Sequence, residues 1–230
     1  WFENWESKWN NLISIKGHLS ENILKTLNIT AKYDINKEFT SNPQAYDYYL
    51  RAKHLHDNWS RTQDNETFNV MKELVLKAIK LDEMFFAAKL LLGEITRSKT
   101  DLFHSKMGEE YDSTSTRGYI EALDIFNDIL IQTKKVDDKF WIGRTLHSIA
   151  TIYDRNEQYS KAIDYFIQSF ESAEEISDKK GMLRSTFHIA FTYDKIANYD
   201  KALEYHFLTY ELAMEIDDKT EIASSLNQIG

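Results

Sequence analysis

The chain has 230 residues, of which 37 are acidic and 28 are basic, so its formal net charge is -9 at neutral pH. This acidic balance excludes the broad positive surface that general nucleic-acid binding requires. The sequence has no cysteine, which excludes disulfide frameworks, thiolate metal sites and cysteine nucleophiles. One proline and seven glycines favour long helices joined by short polar turns over a strand-rich fold with many turn residues.

The first part of the chain predicts one helical pair and no membrane span. Its first residue is Trp1, without a methionine or a basic segment, so we expect no signal peptide and a start within a longer protein.

A helical pair is predicted from Pro43 to Leu81, because Asn42 can cap the first helix and Pro43 suits its first turn. The most apolar stretch, Met84 to Gly93, is much shorter than the ~20 residues that cross a bilayer. A cytoplasmic location is the default expectation.

The second half of the chain repeats itself with a step of 40 residues. The segment that begins at Leu146 matches the segment that begins at Phe187, and the same step leads back to Tyr119, Ala122 and Phe126. A fixed period of this length is typical of repeat proteins, in which each unit packs on the next one. The matching pairs are Ala150 and Ala190, Tyr153 and Tyr193, Tyr159 and Tyr199, Ala162 and Ala202, Tyr165 and Tyr205, and Ile176 and Ile216.

Each unit predicts a helix, a short turn and a second helix. Apolar residues recur at helical spacing around Ile149 and again around Ile163, with a short polar break between them. Ala150 and Ala162 are small residues in facing helices, so the two antiparallel helices can approach closely. We expect aromatic side chains to fill the core around them. These are Tyr153, Tyr159, Phe166, Tyr193, Tyr199 and Tyr205.

This pattern resembles the tetratricopeptide repeat, in a longer variety with 40 residues where the common form has about 34. The resemblance implies an all-α fold, a right-handed α-α superhelix of helix pairs with an N-terminal helical extension. It also implies a repeat array over residues 43–230, of which the last repeat is truncated. Because Ala150 and Ala162 keep the family's internal spacing, the extra residues are predicted in the second helix or at its junction with the next repeat, in Ser177–Ala190.

The match to the repeat continues upstream with an interruption. Residues 76–95 resemble the end of one repeat and the start of the next, with Ala78 and Gly93 in the expected places. Ala122 then lies 29 residues after Gly93, where the internal spacing of the later repeat is only 12. The sequence therefore predicts an insertion around residues 100–116, with Ser105–Gly118 as its loop.

The first 95 residues carry a second resemblance. The segment WFENWESKWNN, a spacer and the segment SNPQAYDYYLRAKHL are similar to a junction in large bacterial signalling proteins. In those proteins the junction joins a small α/β domain to a tetratricopeptide array, downstream of a class III adenylate or guanylate cyclase, a protein kinase or a DNA-binding domain. The resemblance implies that residues 1–30 are the helical tail of a preceding domain, with a helix from Ile13 to Leu27, and that residues 31–42 are a linker. The catalytic parts of such a parent would lie outside this chain.

Motifs of common enzyme and cofactor sites are missing from the sequence. It contains no Gly-x-Gly pair, no H-E-x-x-H arrangement among its seven histidines and no G-x-S-x-G elbow. Adjacent acids such as Glu174 and Glu175 are interpreted as solvated helix surface rather than as a catalytic pair. We therefore predict no enzyme activity, no cofactor and no metal site for this chain.

A binding groove is implied by the repeat resemblance, because in this family the first helix of each unit lines a concave surface. Phe187 and Phe191 are one helical turn apart and would present an aromatic pair to it. Four basic residues against two aspartates make the predicted groove locally positive, which suits an acidic or carboxylate-ended peptide. Alternatively, the long basic side chains only solvate the inner surface. Counted from Ala150 and Ala190, the lining residues are Arg144, His147, Thr151, Asp154, Arg155, Arg184, Phe187, Phe191, Asp194 and Lys195.

Three functions fit these observations. The first is a non-catalytic protein-interaction module, the regulatory or scaffolding region of a bacterial signalling protein, which binds a peptide or protein segment in the groove. The second is a structural dimerisation element that couples catalytic domains, since a truncated last repeat would expose an apolar face that a second copy could cover. The third is a sensor of a peptide or small molecule. Nucleic-acid and membrane partners are not expected.

Overall fold

The computed structural model describes residues 40–107 and 113–229, and these ranges hold nine α-helices and no strand. The all-α prediction is therefore confirmed for the described residues. The predicted tail at residues 1–30, its helix from Ile13 to Leu27 and the linker up to residue 39 lie outside them. The helices are α1 (Pro43–Thr62), α2 (Asn65–Leu81), α3 (Phe86–Met107), α4 (Ser113–Lys135), α5 (Lys139–Arg155), α6 (Tyr159–Glu175), α7 (Lys179–Lys195), α8 (Tyr199–Glu215) and α9 (Lys219–Ile229).

The chain divides into two compact units, Trp1–Leu102 and Phe103–Gly230. In the first unit, the predicted helical pair is present as α1 and α2, which pack against each other. Asn42 caps α1 by accepting hydrogen bonds from two backbone amides of its first turn, and Pro43 is its first residue. Asp64 caps α2 by accepting one hydrogen bond, from the backbone amide of Thr67. A side-chain cap therefore sets the start of each helix.

The second unit has a structural period of 20 residues, half of the sequence period. Each helix from α5 to α8 has 17 residues, and turns of three residues connect them. At each turn one residue adopts a left-handed conformation with φ between 49° and 58°, and the next amide donates to the carbonyl five positions earlier. Turns within a repeat and turns between repeats therefore share one geometry. The left-handed residues are Asp137, Glu157, Ser177, Ala197 and Asp217.

The extra residues of the 40-residue repeat are helical. Between Ala162 and Ala190, only residues 176–178 lie outside α6 and α7. The segment Ser177–Ala190, predicted to contain the junction, is therefore mostly the first part of α7. A turn of three residues leaves no room for a longer linker, so the longer repeat is built from longer helices.

Residues 100–107 and 113–116 of the predicted insertion are also helical. Since α3 continues to Met107 and α4 begins at Ser113, the predicted loop Ser105–Gly118 is wrong at both ends, and residues 108–112 lie outside the described part. Its polar composition indicated a loop. However, Tyr119 and Phe126 belong to a buried face of α4, and the packing of such a face outweighs the weak local preference of the polar residues before it.

The small residues that were predicted to bring the helices together are buried. Ala150, Ala162, Ala190 and Ala202 each expose 1% or less of their surface. Consecutive helices from α5 to α9 pack side by side around such positions. One hydrophobic cluster of this unit contains Ala150, Ala162, Ile163, Phe166, Ile189, Tyr193 and Ala202.

One of the aromatic residues predicted as core lies on the surface. Tyr199 is 67% exposed, so its assignment to the core is wrong. Its equivalent in the preceding repeat, Tyr159, has the Lys195 ammonium 5.7 Å from its ring centre, and no such contact from a described residue covers Tyr199. Others are buried in the cluster or packed against it, as predicted, namely Tyr153, Phe166, Tyr193 and Tyr205.

Candidate functional site

The predicted groove residues lie on α5 and α7, the first helices of two successive repeats. These helices contact each other directly, since the ring centres of His147 and His188 are 4.8 Å apart. Asp154 on α5 also accepts hydrogen bonds from Thr192 and Lys195 on α7. We call the surface formed by the two helices the α5–α7 face. It comprises Arg144, His147, Thr151, Asp154, Arg155, Arg184, Phe187, His188, Phe191, Asp194 and Lys195.

Three of these residues line one small depression between α5, α6 and α7. They are Arg144, His147 and Arg184, and Asp178 lines the depression with them. The Arg144 guanidinium lies 5.4 Å from the ring centres of both Phe140 and Trp141. Cation–π attraction of this kind holds a guanidinium close to an aromatic surface. The structure therefore brings together the two arginines that sequence reasoning placed one repeat apart.

Close helix packing forms the floor of this depression. A Cβ atom at Gly143 would lie 3.3 Å from the carbonyl oxygen of Ser169, and one at Gly181 would lie 2.9 Å from the Cβ of Ala173. A larger residue at either glycine would push α6 away from its neighbours. The Ser169 hydroxyl donates to the Gly143 carbonyl at 2.8 Å and lies 3.0 Å from the Ser185 hydroxyl. These buried hydroxyl groups connect α5, α6 and α7.

The predicted aromatic pair is present on α7. The ring centres of Phe187 and Phe191 are 4.6 Å apart, and both side chains are half-buried. Phe187 also contacts His188 at 5.4 Å, and His188 stacks on Phe166 at 5.1 Å. The pair therefore keeps part of its surface accessible while the rings behind it fix its position.

Three of the predicted charged residues on the face form ion pairs. Lys195 lies 2.5 Å from Asp154, whose side chain is only 11% exposed, and Asp194 lies 2.9 Å from His206. Arg155 is exposed at the C-terminal end of α5. The other three basic residues of the face lie at its two ends, with Arg144 and Arg184 toward the N-terminal ends of α5 and α7 and Arg155 at the C-terminal end of α5.

Burial determines the charge state of His188. Its pKa is lowered to about 4, first because the imidazole is buried and further because Arg184, Lys195 and Arg155 are nearby, while Asp154 acts in the opposite direction. His188 is therefore neutral at physiological pH. It contributes an uncharged aromatic surface between the two arginines and the phenylalanine pair.

Sequence reasoning missed His206 as a residue of this region. It is 3% exposed, and its ring centre lies 5.6 Å from that of Phe191. The sequence contained a signal for this residue. His206 lies one 40-residue period after Phe166, so a polar side chain occupies a position that is apolar in the preceding repeat. Thr151, which was predicted as a lining residue, donates its hydroxyl to the His147 carbonyl of its own helix.

The described residues contain neither a metal-binding cluster nor a membrane-spanning helix. Within residues 40–107 and 113–229, no three His, Asp or Glu side chains are arranged to hold a metal ion. Across the same ranges, no helix combines the length and the apolar character that a membrane span requires.

Comparisons with known proteins agree with this architecture. The family model described as tetratricopeptide repeat matches residues 141–218, which extend from α5 to the turn after α8. The match to the tetratricopeptide repeat therefore covers this segment of about a third of the chain. Among solved structures, it is similar to the TPR-like repeats of a kinesin light chain from Podosopora anserina, with a TM-score of 0.52 and 14% identity over 79% of this chain and 84% of that chain. No curated protein matches the sequence.

These findings confirm the predicted repeat and fold class. The family match shows the repeat where the 40-residue period is clearest, and the structural match shows the fold alone because the sequence identity is low. The resemblance of residues 1–95 to cyclase-type signalling proteins and the cytoplasmic location remain predictions.

Proposed function

We propose that the α5–α7 face binds a peptide or protein segment, and that this chain is the interaction module of a larger protein. The observation that carries the proposal is the half-buried pair of Phe187 and Phe191 beside the depression with Arg144 and Arg184. Most apolar side chains of this size are buried in a folded domain, so an accessible aromatic pair on a helix face suits an apolar side chain of a partner.

The ligand chemistry follows from the order of groups along the face. The two arginines lie toward the N-terminal ends of α5 and α7, and the phenylalanine pair lies further along α7. Arginine binds carboxylates in a geometry that a lysine cannot match. The proposed ligand is therefore a segment with an apolar side chain and a nearby carboxylate, from an acidic residue or from its C-terminus.

Variants of both parts of the face test this proposal. A ligand is first selected from a displayed peptide library with the wild-type chain. We expect Phe187→Ala with Phe191→Ala, and separately Arg144→Ala with Arg184→Ala, to weaken its binding at least about tenfold, since residues at the centre of an interface dominate the affinity. Isothermal titration calorimetry measures the dissociation constants.

The matched control is Tyr199→Ala, which removes an exposed aromatic side chain from α8 and should leave binding unchanged. Circular dichroism establishes that all variants are equally folded. If both double variants bind the selected peptide as tightly as the wild type does, the proposal is wrong, and the basic side chains only solvate the surface.

A second candidate function is dimerisation, and the surface of α8 favours it. Leu203, Phe207 and Met214 are exposed on one face of this helix, whereas Ile163 and Ile167 at the corresponding positions of α6 are packed against the hydrophobic cluster. A contiguous apolar surface of this kind is typical of interaction sites. Light scattering tests it: we expect a concentration-dependent dimer that Phe207→Glu abolishes, and a monomer at all concentrations would contradict it.

The nature of the parent protein is part of the same proposal. Resemblance of residues 1–95 to a junction in bacterial signalling proteins supports a regulatory or scaffolding role next to a cyclase, kinase or DNA-binding domain. In this reading the chain itself performs no catalysis and requires no cofactor. Sequencing the gene on both sides of this segment tests the parent, because a neighbouring domain of another kind would contradict it.

A further inference from the structure

The two repeats differ at one buried position that lies directly behind the α5–α7 face. Phe166 on α6 and His206 on α8 occupy equivalent positions, and they expose 0% and 3% of their surface. Phe166 packs against both His147 and His188, with ring-centre distances of 5.2 and 5.1 Å. His206 instead makes a nearly perpendicular ring contact with Phe191. The second repeat therefore has a polar side chain where the first has an apolar one.

Packing alone does not explain a histidine at this position. Transferring an imidazole from water to a protein interior costs free energy unless it is hydrogen-bonded, whereas a phenylalanine gains free energy from the same burial. Phe166 demonstrates that the position accommodates a phenylalanine in this fold. A buried polar residue that breaks the apolar pattern without a packing advantage is expected where function requires it.

His206 has a specific partner on the rim of the face. Its Nε2 lies 2.9 Å from Oδ2 of Asp194, and because an ionised carboxylate can only accept, the imidazole donates. The equivalent Asp154 makes a different contact, since it pairs across repeats with Lys195. Asp194 is therefore directed into its own repeat, toward α8, and the pair connects the rim of the face to the ring behind Phe191.

The contacts continue from this pair to the proposed binding surface. His206 contacts Phe191 at 5.6 Å with the two ring planes at 82°, and Phe191 contacts Phe187 at 4.6 Å. An edge-on contact restricts the rotation of the ring that it supports. The orientation of the phenylalanine pair thus depends on a ring that a hydrogen bond to Asp194 holds in place.

We propose that His206 is a positioning residue for the α5–α7 face: held by Asp194, it fixes the side chain of Phe191 and thereby determines which apolar side chain of a partner the pair accepts. The claim about the partner's side chain rests on the proposed function. The claim that His206 fixes the orientation of Phe191 is independent of it. The contact between His206 and Phe191 also distinguishes the two repeats. In the second repeat the ring behind the face is hydrogen-bonded to Asp194, whereas the equivalent ring of the first repeat is Phe166, which cannot form such a bond.

The orientation of Phe191 can be tested without any ligand. Three-bond couplings in a phenylalanine-labelled sample report the χ1 rotamer of Phe191 in the wild type, in His206→Phe and in His206→Gln. We expect a single rotamer in the wild type, averaging in His206→Phe, and a single rotamer again in His206→Gln, whose amide can still donate to Asp194. A single wild-type rotamer in His206→Phe, or averaging in the wild type itself, would overturn the proposal.

Stability separates positioning from a merely structural role. We expect His206→Phe to unfold at the same urea concentration as the wild type or at a higher one, because Phe166 shows that phenylalanine fits the position. A variant that is as stable but has a mobile Phe191 supports positioning. If His206→Phe is much less stable and His206→Gln is equally destabilised, the pair is structural and the proposal is wrong.

Selectivity for the partner is measured with short acetylated alanine peptides that end in glutamate and carry phenylalanine, leucine or alanine in the middle. We expect the wild type to prefer the phenylalanine peptide over the alanine peptide by about tenfold, His206→Gln to keep this preference, and His206→Phe to reduce it to about twofold or threefold. An unchanged preference in His206→Phe contradicts the proposal. If no peptide binds the wild type, the proposed function fails, while the rotamer measurement still decides the positioning role.

Discussion

At the scale of single residues, burial in the face changes the chemistry of His188. The residue was not predicted as part of the groove, because the count from Ala190 selected its neighbour Phe187. Its contacts with His147 and Phe166 place it between two repeats, where burial removes water from the ring and the Asp154 carboxylate compensates only part of the cost of a charge. The lowered pKa of His188 is the consequence, and it makes the stability of the protein depend on pH.

We expect His188 to destabilise the folded protein in acid. Its pKa of about 4 lies below the ordinary value of 6.5, so the unfolded chain binds a proton first as the pH falls. The stabilisation is fully present above pH 6.5 and is lost as the pH falls toward 4, by about 3 kcal/mol in total. Urea unfolding of the wild type and of His188→Gln between these pH values measures it, because the carboxylates titrate equally in both. Parallel stability curves for the two proteins would contradict the prediction.

At the scale of helices, the 20-residue period produces equivalent N-terminal positions that carry different capping residues. Asp138, Asp178 and Asn198 cap α5, α7 and α8 by accepting a hydrogen bond from the third amide of the helix. The equivalent position before α6 is Gln158, which makes no such bond. Glutamine is one methylene longer than asparagine, so its amide oxygen does not reach the amide of the first turn as easily.

This difference predicts opposite effects of two reciprocal substitutions. We expect Gln158→Asn to raise the free energy of unfolding by about 1 kcal/mol, and Asn198→Gln to lower it by about the same amount, because a side-chain cap satisfies an amide at the start of the helix. Denaturant unfolding measures both. Effects of the same sign would show that the cap is not the cause.

At the scale of the whole molecule, stability in a repeat array depends on how each repeat is joined to the next. The hydroxyl groups of Ser169 and Ser185 provide such a connection in the second unit, since they join α6 and α7 to each other and to the carbonyl of Gly143. Ser225 occupies the position one period after Ser185, but its buried hydroxyl has no hydrogen-bond partner among the described residues. The same residue type therefore has different roles in successive repeats.

We expect Ser169→Ala to lower the free energy of unfolding by about 1 to 2 kcal/mol, because the Gly143 carbonyl and the Ser185 hydroxyl both lose their partner in a buried environment. Ser225→Ala is the matched control, and it should be neutral or slightly stabilising, since it removes a buried hydroxyl that is not hydrogen-bonded. Thermal and denaturant unfolding measure both variants. An equal loss in the two would mean that the hydrogen bonds between repeats contribute nothing specific.

Features that depend on the local sequence pattern could be predicted, whereas features that depend on long-range packing could not. The 40-residue period, the small residues at Ala150 and Ala162 and the all-α class were all readable, because helical periodicity and repeat spacing are properties of neighbouring residues in the chain. The loop at Ser105–Gly118 was wrongly predicted for the opposite reason. There the local composition favoured a turn, and the buried face of α4 overrode it.

The sequence by itself determined the repeat, its helices and the aromatic pair of Phe187 and Phe191, since these follow from residue types at short, regular intervals. Only the tertiary structure decided that Lys195 pairs with Asp154, that Tyr199 is exposed and that His206 supports Phe191. Each of these facts depends on which side chain of one helix faces which side chain of another. That relation is set by the packing of helices separated by a turn or by a whole repeat, and a single-sequence pattern carries no direct record of it.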